Sequence, residues 1–182
     1  TSTTGCFVRF LAPPPTHQSS KVKVDISVTI NSLIAFNIIG SSFDLEFVVA
    51  TKWFDGRLLF NNLRQNRSSN MMGPDDKNTV WFPIFVFENT KQKLESLVDR
   101  KAHLGVERHG LGVASDKSLI ENKLLFEGAE NPIIYDRVYS EQFDCDYQMS
   151  WYPFDRQHCT IVIRPTDDLM DYIELAPAVL RY

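Results

Sequence analysis

Residues 22–30 of the chain read VKVDISVTI. Five apolar side chains alternate with polar ones at a strict period of two over this stretch. Successive side chains of a strand point to opposite faces of a sheet, so the alternation is typical of a strand with one buried face. The pattern continues less regularly to about Ile39, and Gly40-Ser41-Ser42 supplies a turn. A second strand at Phe43–Trp53 follows, and together the segments predict a long antiparallel hairpin.

Further strands are predicted along the rest of the chain. Pro83 interrupts the first of them and favours an edge strand or a strand entry there. Glu127–Pro132 is predicted to be a turn. The predicted strands are Val80–Phe87, Lys123–Phe126, Ile133–Asp144, Cys159–Arg164 and Tyr172–Leu180.

The segments between these strands carry weaker signals. Asn61–Lys77 is polar and predicts a loop. In Thr90–Ala114, the spacing of Leu94, Leu97 and Val98 is helical, but the glycines at 110 and 112 break any continuation. We expect a mobile surface insertion there, with room for one helical turn.

Six to eight strands without a long helix predict an all-β fold, an antiparallel immunoglobulin-like β-sandwich. The sandwich would span residues 21–182. Residues 1–20 are polar and contain Pro13-Pro14-Pro15, which predicts an extended lead-in.

The composition excludes several classes of protein. Of the 182 residues, 43% are hydrophobic and 23% charged, which argues against disorder. A net charge of -4 gives no basic footprint, so we expect no nucleic-acid partner. Neither a stretch of about eighteen apolar residues nor a signal peptide is visible. Either the chain is cytosolic, or its targeting segment lies outside this sequence.

The three cysteines point to a secreted environment. Cys145 and Cys159 enclose thirteen residues, too many for a CxxC redox or zinc pair, and only His158 lies nearby. A disulfide is the better interpretation and implies an oxidising compartment. In the chain-entropy model, closing that loop contributes roughly 3 kcal/mol. Asn66-Arg67-Ser68 is a glycosylation acceptor. Cys6 is either free or separated from its partner by truncation.

Enzymatic motifs are missing from the sequence. It contains no nucleophile motif, Gly-rich phosphate loop or HExxH sequence. The adjacent Asp167 and Asp168 would point to opposite faces of a strand rather than converge. We therefore expect no enzyme, no cofactor and no metal site.

The segment Cys145–Cys159 reads CDYQMSWYPFDRQHC, with Tyr152-Pro153-Phe154-Asp155 at its tip. The spacing of the two cysteines and the sequence of the tip together resemble the loop after which the Cys-loop receptors, the pentameric ligand-gated ion channels, are named. Other segments resemble the family in the same order: Trp53-Phe54-Asp55-Gly56-Arg57-Leu58, Trp81-Phe82-Pro83 and Phe87-Glu88-Asn89. The resemblance covers about residues 22–182.

The chain also departs from the family pattern. Ile84 stands where the family usually has Asp, and the insertion between Asn89 and Lys123 is longer than usual. The final strands, the capping loop and the membrane helices of a receptor subunit are not in this sequence. We therefore interpret it as a truncated extracellular ligand-binding domain.

The resemblance implies a receptor on the extracellular side of the cell membrane. A small-molecule ligand would bind at the seams of a homo- or hetero-pentamer. Tyr152, Pro153, Phe154 and Asp155 would couple binding to the subunit's own transmembrane domain; alternatively the aromatic tip folds back onto its own core. A secreted homologue without a channel remains the second hypothesis. An adhesion sandwich is disfavoured, because its cysteines would lie on opposite sheets.

The resemblance also suggests candidate ligand contacts. Aromatic side chains that would cage an amine are largely absent, because Glu88, Thr166 and Val48 occupy three of their places. Glu88 and Asp167 would either hold a cationic ligand or be solvated. Trp53 is expected to be core rather than contact. The candidates are Phe87 and Glu88 on the first binding loop, Thr166 and Asp167 on the second, Val48 and Ala50 on the complementary strand, and Tyr135, Arg137 and Tyr139 beside it.

Overall fold

The computed structural model describes residues 12–15, 21–73, 79–91, 94–95, 102–114, 124–176 and 179–181. These ranges contain twelve strands and two short 3-10 turns, at Arg67–Ser69 and Asp167–Leu169. No helix in them is long and apolar enough to cross a bilayer. The strands are β1 (Val22–Asn37), β2 (Ser42–Trp53), β3 (Leu59–Asn61), β4 (Phe85–Phe87), β5 (Leu94–Glu95), β6 (His103–Val106), β7 (Val113–Ala114), β8 (Leu124–Glu127), β9 (Ile133–Asp144), β10 (Ile163–Pro165), β11 (Ile173–Leu175) and β12 (Val179–Arg181).

The predicted hairpin is confirmed. β1 and β2 pair antiparallel from Asp25 opposite Lys52 to Asn37 opposite Ser42. Two register shifts in β1, after Ile30 and after Leu33, explain why the sequence alternation weakens beyond residue 30. β2 then pairs along its whole length with β9, whose bounds are those predicted.

The largest sheet runs β11-β1-β2-β9-β6, with β12 also paired to β1. β11 and β12 lie parallel to β1, whereas every other strand pair is antiparallel. Two small sheets, β10-β4-β5 and β3-β8-β7, complete the fold. The all-β sandwich is therefore as predicted, with two short parallel pairings that the sequence pattern did not indicate.

The prediction of a mobile surface insertion was wrong for its second half. β6 pairs with β9, and Leu104, Gly105 and Val106 are buried. Both faces of this strand are covered, so its sequence lacks the alternation of a half-buried strand. Leu94 lies in a strand paired to β4 rather than in a helical turn.

Other boundaries also differ from the predictions. β4 begins only at Phe85, after Pro83, and β10 begins only at Ile163 rather than at Cys159. The single strand predicted at Tyr172–Leu180 is two short strands. Leu97, Val98, Cys6 and most of the predicted lead-in 1–20 lie outside the described residues.

An aromatic cluster fills the space between the sheets. Phe47 on β2 and Tyr139 on β9 stack with their centroids 5.6 Å apart. Phe87 on β4 meets Tyr139 edge to face at 5.1 Å and joins the small sheet to the large one. Trp53 is fully buried against Trp81, which confirms the expectation that it is core. Burial of such side chains is a major source of stability.

Candidate functional site

The structure joins Cys145 and Cys159 in a disulfide, with their Cα atoms 5.3 Å apart. The base of the enclosed loop is fixed to the start of β2. Cys145 donates its backbone N–H to the carbonyl of Ser41 at 2.9 Å. The hydroxyl of Tyr147 donates to the carbonyl of Ser42 at 2.7 Å. The loop is thus attached at one end of the large sheet. We refer to residues 145–159 as the disulfide loop.

The tip of the disulfide loop exposes its aromatic side chains. Trp151 is 80% exposed and Phe154 is 90% exposed, with Tyr152 also in solvent. The tip therefore does not fold back onto the core, as the alternative interpretation expected. Inside the loop, Gln157 accepts from the Gln148 N–H at 3.0 Å and donates to the Gln148 carbonyl at 3.1 Å. It also donates to Asp155, which is half-buried.

The turn between β1 and β2 presents a second exposed apolar tip, which sequence reasoning missed. Ile38 is half exposed and Ile39 is fully exposed. Phe36 meets Tyr147 edge to face, with ring centroids 6.4 Å apart. The turn and the base of the disulfide loop therefore lie side by side. The apolar residues just before the Gly40-Ser41 turn could have indicated this exposed tip from the sequence.

Two of the candidate ligand residues, Glu88 and Asp167, meet around one arginine, and a third, Thr166, lies next to Asp167 in the chain. The Arg164 guanidinium, on β10, bonds Glu88 and lies 2.6 Å from Asp167. Their carboxylates, Glu88 first, raise the pKa of Arg164. The Thr166 N–H donates to the carbonyl of Ile84 at 3.2 Å. A protein cation thus already lies between the two carboxylates proposed for a cationic ligand.

The other candidates divide between two faces of the large sheet. Val48 pairs with Val138 and Ala50 with Asp136 in register, and all four lie on its outer face. Tyr135, Arg137 and Tyr139 fall on the inner face, because their register partners are the inward-facing residues of β2. The two sets of candidates therefore lie on opposite faces of the large sheet.

The inner-face candidates do not present free side chains. Tyr135 and Tyr139 are buried, and their hydroxyls are 2.9 Å apart. The Arg137 guanidinium lies over the Tyr139 ring, 4.5 Å from its centroid. Phe87 is fully buried in the aromatic cluster, so it does not contact a ligand at the surface.

The outer face carries a shallow cleft of about 240 Å³ that sequence reasoning did not find. Its lining residues are Arg67, Ser68, Met71, His103 and Asp136. The Asp136 carboxylate bonds the Arg67 guanidinium through one oxygen. Its other oxygen lies 3.3 Å from Nδ1 of His103. We call this feature the outer cleft. Its charged residues are up to 69 positions apart in sequence, so no local motif marks it.

The loop that carries Arg67 is fixed to the free edge of β6. Met72 donates to the Leu104 carbonyl at 2.8 Å, and Val106 donates to the Asn70 carbonyl at 3.2 Å. The Asn70 amide donates to the carbonyls of Arg64 and Val106 at 2.8 and 3.1 Å. Gly105 allows this approach, because a Cβ there would come within 3.0 Å of the Met71 sulfur.

A second charged group lies beside the outer cleft. Lys52 bonds the Glu107 carboxylate at 2.9 Å, and Nε2 of His109 lies 3.3 Å from the same oxygen. The Lys52 hydrogen bond is the main cause that holds the pKa of Glu107 below its usual value, against the opposing effect of burial. Charged or titratable side chains thus lie at both ends of β6, with His103 and Asp136 at one end and Glu107 with Lys52 at the other.

Comparison with known proteins decides the family. The family described as "Neurotransmitter-gated ion-channel ligand binding domain" matches residues 9–121, more than half of the chain. The chain belongs to this family. The matched range ends before the disulfide loop, so the loop supports the assignment to this Cys-loop receptor domain independently.

Individual receptor subunits are also similar to this member of the neurotransmitter-gated ion-channel family. A gamma-aminobutyric acid receptor subunit gamma-3 of Homo sapiens is 23% identical over 76% of the chain and 25% of its own length. An acetylcholine receptor subunit beta-type acr-2 of Caenorhabditis elegans is 28% identical over 84% of the chain and 23% of its own length. The chain thus spans about a quarter of these relatives. Their family is one of receptor channels rather than enzymes.

Proposed function

We propose that this chain is the extracellular ligand-binding domain of a pentameric ligand-gated ion channel subunit at the cell membrane. A small molecule binds between neighbouring subunits, and the disulfide loop passes the signal to the transmembrane domain of the same subunit. The observation that carries this proposal is the exposed aromatic tip of the disulfide loop in a domain of this family.

The exposed tip supports a coupling role by its chemistry. Trp151, Tyr152 and Phe154 hold apolar surface in water on a loop closed by a disulfide. Apolar surface of this kind is typical of a contact with another protein or with a membrane. The neighbouring Ile38 and Ile39 extend the same apolar end. Pro153 and the half-buried Asp155 belong to this coupling segment.

Two surfaces are proposed to form the ligand seam. One carries Glu88 and Asp167, which both bond Arg164, together with the adjacent Thr166. The other is the outer face of the large sheet with Val48 and Ala50. In a ring of identical or similar subunits, the first surface of one subunit would face the second surface of the next.

Asn66 is proposed as a glycosylation site. It is exposed, and its side-chain oxygen accepts from the Ser68 N–H at 3.1 Å and from the Ser68 hydroxyl at 2.9 Å. Both bonds use the side-chain oxygen and not the amide nitrogen, which is the atom that carries the carbohydrate. Loss of the carbohydrate in Asn66→Gln, seen as increased mobility on a gel, is the expected result.

The function is tested with the full-length subunit expressed in oocytes. The probes are γ-aminobutyric acid and acetylcholine, the ligands in the names of the two relatives. We expect an evoked current, and we expect Phe154→Ser to reduce it while surface biotinylation of the subunit is unchanged. The matched control is Tyr172→Ser, an exposed aromatic residue next to the start of β1, at the other end of the sheet.

Two results would count against the channel. The coupling role fails if Phe154→Ser and Tyr172→Ser give the same evoked current. Secretion of a soluble oligomer that binds a probe without any current would favour the homologue that lacks a channel.

A further inference from the structure

We infer that Tyr172 is a sulfation site, at which a sulfotransferase of the secretory pathway converts the phenol to a sulfate ester. The inference rests on the proposed function in one respect, because it requires the chain to pass through the secretory pathway on its way to the cell surface. It concerns residues 167–174, which read DDLMDYIE. We call this stretch the acidic segment.

The acidic segment surrounds one tyrosine with negative charge. Four acidic residues lie within five positions of Tyr172, namely Asp167, Asp168, Asp171 and Glu174. The sequence from 167 to 177 contains no Lys or Arg. An enzyme that binds this stretch through its own basic side chains gains a charge-assisted hydrogen bond from each carboxylate that it meets. The charge pattern therefore favours selection of Tyr172 by such an enzyme.

The structure places both the hydroxyl and the surrounding charge at the surface. Tyr172 is 57% exposed, and the four acidic residues of the segment are exposed as well. Ile173, the first residue of β11, is buried. Because successive side chains of an extended chain point to opposite sides, Tyr172 and Glu174 both point away from the core.

The backbone of the acidic segment is fixed at an accessible edge of the domain. The Tyr172 N–H donates to the carbonyl of Leu169 at 2.9 Å, and the Val22 N–H donates to the carbonyl of Tyr172 at 2.7 Å. β11 is the terminal strand in the order of the large sheet. Arg164 lies 2.6 Å from Asp167 and offsets part of its charge. The other three carboxylates are thus the better candidates for recognition.

Most of the other tyrosines are unsuited to the same modification. Tyr135 and Tyr139 are buried, with their hydroxyls 2.9 Å apart. The hydroxyl of Tyr147 donates to a backbone carbonyl at 2.7 Å. Tyr182 lies outside the described residues. An enzyme could therefore reach these three described hydroxyls only by disturbing the packing or the hydrogen bonds of the domain.

Tyr152 provides a matched control within the same chain. It is 69% exposed, slightly more than Tyr172. Within five positions, however, it has only one acidic residue, Asp155, and the basic Arg156 follows directly. If exposure alone decided the modification, Tyr152 would be sulfated too. If charge also decides, only Tyr172 is.

The reaction is the transfer of a sulfuryl group. The donor is an activated sulfate, a mixed phosphosulfate anhydride of an adenine nucleotide. The phenol oxygen of Tyr172 attacks the sulfur, a new O–S bond forms, and the O–S bond of the anhydride breaks. The nucleotide leaves as its phosphate, and the phenol proton passes to a base of the transferase, so nothing is oxidised or reduced. The product adds a fixed negative charge to the acidic segment.

A sulfate ester is favoured over a phosphate ester by the compartment. The Cys145–Cys159 disulfide is typical of proteins that fold in an oxidising compartment. Sulfotransferases for tyrosine act in the lumen of the secretory pathway, whereas tyrosine kinases act mainly in the cytosol. The acidic segment belongs to the same domain as the disulfide, so it enters the same lumen.

The test uses the full-length subunit expressed in cultured animal cells that receive radioactive sulfate. A glycosidase first removes the carbohydrate proposed at Asn66, because carbohydrate can also carry sulfate. Alkaline hydrolysis should then release labelled sulfotyrosine, and peptide mass spectrometry should place one added SO3 group on Tyr172. Removal by an arylsulfatase but not by a tyrosine phosphatase distinguishes the sulfate from a phosphate.

Substitutions locate the modification and test its recognition. Tyr172→Phe should abolish the labelled sulfotyrosine, whereas Tyr152→Phe should leave it unchanged. A variant that combines Asp168→Asn, Asp171→Asn and Glu174→Gln keeps the Tyr172 hydroxyl and should lose most of the label. Surface biotinylation shows that each variant is exported, so a lost label cannot result from retention in the cell.

The inference is overturned if Tyr172 carries no sulfate, if it carries phosphate instead, or if Tyr152 is labelled equally. A label that persists in the combined variant would overturn recognition by charge. Failure here is distinguishable from failure of the proposed function. A subunit that gives an evoked current without sulfotyrosine retains the function and loses this inference. Sulfotyrosine at position 172 of an exported subunit that never conducts retains the inference and loses the channel.

Discussion

The carboxylate of Asp55 is completely buried, and the guanidinium of Arg57 pairs with both of its oxygens, at 2.8 and 2.7 Å. The Arg57 backbone N–H also donates to Asp55 at 3.1 Å. Charge pairing and hydrogen bonds together compensate for the loss of water around the carboxylate. The Asp55–Arg57 pair is thus a structural element of the W-F-D-G-R-L segment.

Arg57→Gln should destabilise the domain strongly, by about 3–5 kcal/mol, because it leaves a buried carboxylate without its cation. Denaturant unfolding followed by tryptophan fluorescence measures the change. Arg64→Gln, which is exposed, should change the unfolding free energy by no more than about 0.5 kcal/mol. Equal stabilities of the two variants would contradict a structural role for the Asp55–Arg57 pair.

Gly128→Ala should also destabilise the domain, by about 1–3 kcal/mol, the usual cost of overpacking. A Cβ at this position would overlap the backbone carbonyl oxygen of Asp55, so the backbone must shift. The control is Gly56→Ala, where the added Cβ would lie at an ordinary 3.6 Å from Ala129. Thermal unfolding compares the two, and a Gly128→Ala variant as stable as Gly56→Ala would show that the turn is not packed as described.

Two phenylalanines differ completely in burial: Phe143 lies in the core, and Phe154 lies at the exposed tip of the disulfide loop. Phe143 is fully buried in the aromatic cluster, and its change to Ala should cost about 3–5 kcal/mol. Phe154→Ala should change the unfolding free energy by less than about 0.5 kcal/mol, because its side chain is already in solvent. A large loss of stability on changing Phe154 would mean that the tip packs onto the domain.

The Glu107 carboxylate should titrate differently when Lys52 is removed. Its folded-state pKa is lowered, chiefly by the Lys52 hydrogen bond, so the pair contributes stability above the unfolded pKa of about 4.3 and loses it as pH falls through the folded pKa. In Lys52→Gln we expect the pKa of Glu107, measured by NMR titration, to rise. We also expect the stability difference from wild type to shrink at acid pH.

Lys23→Gln serves as the control for this titration, since Lys23 is an exposed lysine of β1. The Lys23→Gln variant should leave the pKa of Glu107 unchanged, because Lys23 does not contribute to its shift. If Lys52→Gln also leaves that pKa unchanged, Lys52 does not hold the carboxylate in its charged form in solution.

Strands with one buried face could be predicted from the sequence. β2 and β9 show this directly, because their inward side chains include those of the aromatic cluster while most of their outward ones stay accessible. The short strand β6 could not be predicted in this way. Its successive residues Leu104, Gly105 and Val106 are all buried, so burial gives no alternation that the sequence could show.

The candidate site was predictable only where it is local in sequence. The disulfide loop is a contiguous segment, and its cysteines and aromatic tip could be read together. Alternation could also have separated Phe87 from Glu88, since neighbours in a strand face opposite ways and only Glu88 is exposed. The Arg67–Asp136 pair depends on three-dimensional contact between the loop, β6 and β9, so no spacing in the sequence reveals it.

The hydrogen bonds of Gln157 to Gln148 and Asp155 make the disulfide loop hold its own shape, while its aromatic tip touches solvent. Evolution can therefore replace Trp151, Tyr152 or Phe154 without repacking the aromatic cluster between the sheets. The exposed tip can in this way differ between members of the family while the body of the domain stays the same. The same separation makes the loop a natural unit for exchange between chimeric receptors.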